Sequence, residues 1–265
     1  MKKTKIEWCD STWNPVTGCL HGCEYCYAKR IAERFKFKKF TCAKEYTDTV
    51  HDLTEAGTDT HGNRSPYPYG FAPTLHRYRL NVPSNWTKPK NMFVCSMADL
   101  FGDWVPDEWI EEVFAACEKA PWHNYLFLTK NPGRYCKLDD AGKLPHKKNW
   151  WYGSSWTKPF DCVWDGGCGA IKDSFNSFLS VEPLLETMEP QQGIGCFNWV
   201  IIGAESGNRK ERVTPKKEWI EYICKLADIS RVPVFMKDSL LPIMGEENMR
   251  RELPEGLKRE QEAGG

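Results

Sequence analysis

The sequence predicts an α/β protein: a partial (β/α)6-type barrel of parallel strands with an inserted lid segment. Three observations carry this expectation. Seven short runs rich in Val, Ile, Phe and Trp recur along the 265 residues, helical patterns separate several of them, and polar residues gather just past their ends. Strands alternating with helices build parallel βαβ units, and six or seven such units suit a barrel or part of one better than a sandwich. An open doubly wound sheet is the alternative. In a parallel barrel chemistry collects at the carboxyl ends of the strands, so the residue that follows each run is a candidate for function.

The first run, Thr12–Thr17, leads through a cysteine-rich loop into a helical pattern over Ala28–Phe35. Phe40 to Pro89 then breaks the rhythm. Its Gly57–Pro73 centre has no period, so the segment is expected to be an insertion on the first βα connection, lying over the barrel mouth. Met92–Met97 resumes the strands and is followed by Asp99. Pro106 with Asp107 suits a helix start, and Ile110, Val113, Phe114 and Cys117 share a face up to Ala120. Tyr125–Lys130 ends at Thr129 and Lys130, and Trp151–Trp156 carries Ser154 and Ser155. Ser177–Glu182, Trp199–Glu205 and Val232–Lys237 end on Glu182, Glu205 and Lys237. Thr214-Pro215 offers an N-cap with Pro at the first helical position, after which Trp219, Ile220, Ile223 and Ala227 share a face. The expected organisation is one barrel unit over residues 1–244, interrupted at about 40–89, and a charged tail over 245–265 that is solvated or frayed.

Composition narrows the function classes. Lys and Arg number 36 against 36 Asp and Glu, which excludes a chain-wide cationic footprint for nucleic acid and leaves only local patches. Phe35 to Phe40 is one such patch, a weak signal that equally fits an amphipathic helix end. Glu7 and Asp10 interrupt the basic start before a signal-peptide core could form, and no run reaches the ~18 apolar residues of a membrane helix. A cytoplasmic protein is expected. In that compartment the 12 cysteines should be free thiols or metal ligands rather than disulfides.

Their spacing selects three. Cys19, Cys23 and Cys26 form C-x3-C-x2-C in GCLHGCEYCYA, between the first strand and the first helical pattern. Three thiolates on one short loop can grip three irons of a [4Fe–4S] cube, leaving the fourth iron open to a small molecule, as a catalytic zinc keeps one position open. A structural zinc held with His21 or a distant cysteine is the alternative. Zinc sites usually show paired C-x2-C knuckles, and His21 lies too close in sequence to complete a good tetrahedron. A second cluster could draw on Cys162 and Cys168 with Cys136, Cys196 or Cys224, but Cys95, Cys117 and Cys224 fall in strand or helix patterns where buried thiols are common, so one cluster is expected.

With Tyr25 before the third cysteine, this loop resembles the signature of the radical S-adenosylmethionine (SAM) superfamily, and NPVTGCLHGCEYCYA is similar to its spore-photoproduct-lyase-like branch. FVCSMADLF, FLTKNP, FLSVEPLL and VIIGAESG are further similar to a phage-associated family with the same motif. Two departures stand out: the gap between the first two cysteines is shorter than in many relatives, and the usual Lys-Gln-Trp-Gly ending is here Lys237-Asp238-Ser239-Leu240. The resemblance implies a [4Fe–4S] cluster, SAM, its reductive cleavage and hydrogen abstraction from a substrate, with a nucleic-acid base as one substrate class. It implies an electron donor such as a flavodoxin or ferredoxin, and a nucleic acid or a protein as partner. Residue by residue, it sets Tyr25 and Asp99 at the cofactor, Asp99 on the SAM ammonium, Ser155 and Glu182 on the ribose, and Glu205 on SAM or substrate. Thr129, Lys130 and Lys237 are substrate-side candidates. Two other readings stay open: a non-catalytic iron–sulfur or zinc-binding module acting with a partner protein, and a nucleic-acid-binding protein with a structural cluster.

Overall fold

The chain opens with β1 (Ser11–Trp13) and β2 (Val16–Thr17), continues through α1 (Tyr27–Arg34), and adds β3 (His51–Leu53) and β4 (Thr74–His76). Alternation follows with β5 (Asn91–Val94), α2 (Asp107–Glu118), β6 (Asn124–Thr129), α3 (Gly133–Asp140), β7 (Trp150–Trp156), β8 (Asn176–Val181), β9 (Trp199–Ile202), α4 (Lys217–Ile229) and β10 (Val234–Met236). The computed structural model describes residues 4–37, 50–58, 63–157, 175–187, 193–207 and 209–258. Seven strands, in the order β1-β5-β6-β7-β8-β9-β10, pair in parallel as one curled half-barrel sheet. Spatial order follows chain order because each connection leads to the next neighbouring strand. No helix among the described residues is long and apolar enough to cross a membrane.

Side-chain alternation sorts each strand between two cores. Val200 and Ile202 of β9 pack outward with Ile220, Ile223 and Ala227 of α4, whereas Trp199 and Ile201 point inward with Trp8, Phe93, Trp151, Phe178 and Phe235. The same period places Ser155 of β7 and Ser180 of β8 on the inward side, directly paired across the two strands. The lower barrel is therefore filled with aromatic rings, and the polar inward positions lie nearer the carboxyl ends.

Where the structure departs from the expected elements, local chemistry explains it. Thr12–Thr17 is two strands, because Pro15 has no N–H to continue a ladder; β2 turns away to join β4 and β3 in a second, three-stranded sheet. α4 starts at Lys217 with Lys216 as its N-cap, two residues beyond the Thr214-Pro215 signal. α3 escaped the pattern because only Tyr135 and Leu138 of its eight residues are buried.

Only part of the insertion lies at the barrel mouth. Phe71 and Ala72 border the cysteine loop, and Phe71 O accepts from Cys19 N at 3.3 Å. Beyond β4 the chain descends beside β1: Arg79 O accepts from Trp13 Nε1 (2.8 Å), and Trp86 O accepts from Trp122 Nε1 (2.7 Å) ahead of β6. Residues 40–49 and 59–62 of the expected lid lie outside the described residues.

The tail through Lys258 is held to the barrel by its backbone and a few buried side chains, although most of its side chains are exposed as its charge implies. Met236 N donates to Arg250 O and Glu252 N to Val234 O, so this stretch runs antiparallel along β10, and Trp199 Nε1 donates to Glu252 O. Leu257 is fully buried in the inner core, and its carbonyl accepts from Asn91 Nδ2 at 2.8 Å. Apolar residues spaced singly among charges were hidden by the count of charges.

Two outcomes follow. Leu257→Ala should lower stability by roughly 2–5 kcal/mol in urea unfolding, where a frayed tail would show no change. His76, fully buried in β4 with Nε2 2.8 Å from Thr17 Oγ1, has its pKa held down to about 3 by burial and secondarily by Arg79. The unfolded chain takes up that proton near the ordinary histidine value, so stability should fall as pH drops from about 6.5 toward 3, by at most ~1.4 kcal/mol per pH unit. His76→Gln should make that part of a stability-against-pH profile shallower.

Candidate active site

The cysteine loop is shaped by a close backbone approach. Gly18 has φ +87°, and a Cβ there would lie 2.2 Å from Ala72 O, so only glycine lets the loop pass against the insertion. Cys26 is the N-cap of α1, its Sγ accepting from Lys29 N at 3.4 Å. Burial pushes the Cys19 thiol up to about 12, against a backbone hydrogen bond from His21; Asp99, Cys23 and Cys26 push it the same way as burial. Metal binding at Cys19 must therefore displace its proton.

The three cysteines line one cavity of about 210 Å³ at the carboxyl ends of the half-barrel strands. Tyr25, Asp99, Thr129, Lys130, Ser155, Glu182, Glu205 and Lys237 line it too, so every candidate site residue from the sequence faces the same space. Ile6, Trp8, Phe71, Phe93 and Leu128 supply apolar wall.

These polar groups are engaged in different ways. Asp99 Oδ1 accepts from Thr129 Oγ1 (2.7 Å) and Phe101 N (3.0 Å), and Oδ2 bonds His21 Nε2 (2.7 Å) and Lys130 N (2.9 Å). A carboxylate offers about four acceptor positions, and these four are filled. The Asp99 carboxylate thus anchors His21 and the cysteine loop, and the expected ammonium contact has no open position on it. Glu182 is ion-paired with Lys237, which also lies 3.9 Å from Glu7. Burial pulls the Lys237 pKa down, but Glu182 and then Glu7 push harder, so the net direction is up and the ammonium stays charged. Glu205 is gripped bidentately by Arg209 (2.7 and 2.8 Å), which holds its carboxyl below the usual range, and Arg209 reaches Glu24 at 3.4 Å. Lys130 Nζ lies 5.4 Å from the Tyr25 ring centroid. Ser180 Oγ is buried without a hydrogen-bond partner, beside Ser155.

The donor set fits an iron–sulfur cube better than a single ion. Three thiolates on one loop are the donors a [4Fe–4S] cube takes, each meeting a different iron. His21 Nε2 is already committed to Asp99. Of the residues considered for a second cluster, Cys162 and Cys168 lie outside the described residues. Cys196 is disulfide-bonded, contrary to the expectation of free thiols or metal ligands.

Residues 3–241 match the family described as "Protein of unknown function (DUF5131)". The chain belongs to that family. No curated protein matches it. Among solved structures, a cysteine-to-serine variant of spore photoproduct lyase is similar, with a TM-score of 0.51 and 10% identity over 89% of this chain and 78% of that one. A second cysteine variant of that lyase, with bound AdoMet and dinucleoside spore photoproduct, gives a TM-score of 0.45 and 12% identity over 87% and 64%. At the first identity the likeness establishes the fold of this DUF5131 member.

Several groups around this DUF5131 cavity were not singled out from sequence. Arg209 follows Glu205 by one helical turn's spacing, a signal overlooked because the segment reads as loop. Ser180 lies one residue inside its strand, and its inward face follows only from register with Ser155. Asp99→Asn should set an amide donor against the donors already around it, lowering stability by roughly 1.5–3 kcal/mol in urea unfolding. A ligand-binding role alone would leave the ligand-free protein as stable as before.

Proposed function

We propose that the protein is a radical SAM enzyme in which Cys19, Cys23 and Cys26 hold a [4Fe–4S] cluster. The observation that carries this reading is the convergence of the C-x3-C-x2-C loop and all the strand-end polar residues on one cavity of a parallel half-barrel. When bound, the cluster and SAM would supply one-electron reductive cleavage and hydrogen abstraction from a substrate.

The chain's own residues then position and shield. Asp99, through His21, fixes the cluster loop against β6. Ser155 and Ser180 present paired hydroxyls to a bound molecule, and Glu182 shares its carboxylate between Lys237 and the cavity. With Asp99 filled, Glu182 is also the better partner for the SAM ammonium, and Glu205 is held for SAM or substrate by Arg209. Lys237, Lys130 and Thr129 border the substrate side. Ile6, Trp8, Phe71, Phe93 and Leu128 keep water from the reacting groups. A nucleic-acid base is the substrate class we favour from the likeness of the cluster loop to the photoproduct-lyase-like branch, a phage-associated setting rests on sequence resemblance in the same way, and a cytoplasmic one rests on the charges that interrupt the amino-terminal and apolar runs.

Anaerobically reconstituted protein should be brown, with about four irons and four sulfides per chain, and should form 5′-deoxyadenosine from SAM and dithionite. Replacing Cys19, Cys23 or Cys26 by Ala should abolish both. Stoichiometric zinc without acid-labile sulfide would refute the cluster, and a stable cluster that never yields 5′-deoxyadenosine would favour a non-catalytic module acting with a partner.

A further inference from the structure

We infer that Lys237 is an internal counter-ion at a cation site: Glu182 takes a positively charged hydrogen-bond donor of the ligand, and Lys237 competes with that donor instead of touching the substrate. This rests on the radical SAM reading, which sets the SAM ammonium at Glu182, and adds the residue that tunes that contact.

The strands explain how the two side chains meet. Val181 of β8 and Met236 of β10 both pair with Ile202 of β9, so Glu182, Gly203 and Lys237 form the next row, on the inward side with Ile201 and Phe235. Gly203 N donates to Val181 O (3.1 Å) and Lys237 N to Ile202 O (2.9 Å), which carries the register one residue past the strands. Strands two apart lie roughly 9–10 Å from each other, and a side chain on the middle one would stand between their neighbours. Here it is missing. A Cβ on residue 203 would lie 3.1 Å from Lys237 Cδ and 3.2 Å from Glu182 Cγ, so the ion pair closes over bare backbone.

Hydrogen bonding and charge say what the row takes. Of the carboxylates that line the cavity, Asp99 has every acceptor position filled and Glu205 has both oxygens on Arg209. Glu182 bonds Lys237 through Oε1 and keeps Oε2 without a hydrogen bond among the described residues. Glu7, held by Asp238 N at 3.2 Å, brings a further carboxylate to 3.9 Å from Lys237 Nζ. One ammonium thus stands between two carboxylates, and the row carries a net negative charge. A cation at Glu182 gains from that charge, whereas an anion reaching Lys237 would have both carboxylates beside it. Lys237 is also the less open of the pair, its side chain 17% exposed against 26% for Glu182. Like charges repel, so Lys237 weakens the hold on whatever cation Glu182 receives, and when no ligand is bound it keeps that carboxylate from standing alone.

The test measures binding to reconstituted full-length protein by calorimetry with SAM, with decarboxylated SAM, which keeps the ammonium but has no carboxylate, and with 5′-methylthioadenosine, which lacks both and the sulfonium charge. Wild type should bind decarboxylated SAM at least tenfold more tightly than methylthioadenosine, and Glu182→Gln should remove most of that difference. Lys237→Met should bind decarboxylated SAM at least threefold more tightly than wild type, with iron content unchanged; should that variant fold poorly, Lys237→Gln gives the same reading. A Lys237 variant that binds SAM more weakly but decarboxylated SAM as before would make Lys237 a carboxylate contact and overturn the inference. A variant that loses affinity for both, or gains none, would overturn it as well, as would a wild type that binds decarboxylated SAM and methylthioadenosine equally. These outcomes leave the radical SAM reading intact, whereas a wild type that binds no SAM would overturn that reading and this inference with it.

Discussion

The Asp99 carboxylate joins three parts of the chain that must agree for a site to exist. Its own loop after β5 uses one acceptance at Phe101 N, the end of β6 supplies Thr129 and Lys130, and the cysteine loop supplies His21. The group is almost fully buried, so each of these bonds forms where water cannot replace it, and losing one leaves a charged oxygen unsatisfied. The carboxyl ends of the sheet thereby dictate where the glycine-bordered loop lies. Trp104 packs edge-on against the same imidazole at 4.8 Å, limiting the ring from a second direction.

The rest of the cavity follows from a second regularity: its other carboxylates arrive with cations already attached. Glu182 meets Lys237, and Glu205 meets Arg209 in a two-point grip whose geometry fixes the carboxylate plane. Formal charge inside is thus largely compensated before any ligand enters, which limits the penalty of burying it. What remains for recognition is a mixture of hydroxyls, apolar wall and the outer lone pairs of those carboxylates. A ligand with both polar handles and flat apolar surface suits such a lining.

Much of this was legible in the sequence. Periodicity placed all seven strands of the main sheet within a few residues, and the rule that parallel strands gather function at their carboxyl ends brought the candidate residues to one cavity. What stayed hidden depends on distance in the chain. That Asp99 was filled could not be seen, because its partners are 2, 30, 31 and 78 residues away. Leu257 looked like part of a charged tail because a single leucine carries no period, and only the hole beneath Asn91 and Trp199 gives it meaning. The insertion's split between the mouth and the flank was equally invisible, since Trp13 and Trp122 choose carbonyls far along the chain.

The stretch from Arg250 to Glu252 along β10 has a further consequence. β10 is the last strand of the sheet, and a bare outer strand presents its amides and carbonyls to any extended segment that drifts by. Here an antiparallel neighbour from the same molecule occupies Val234 O and Met236 N, and charged Arg250 and Glu252 flank it. On that side, strand-by-strand growth into fibrils is blocked by a piece of the protein's own backbone.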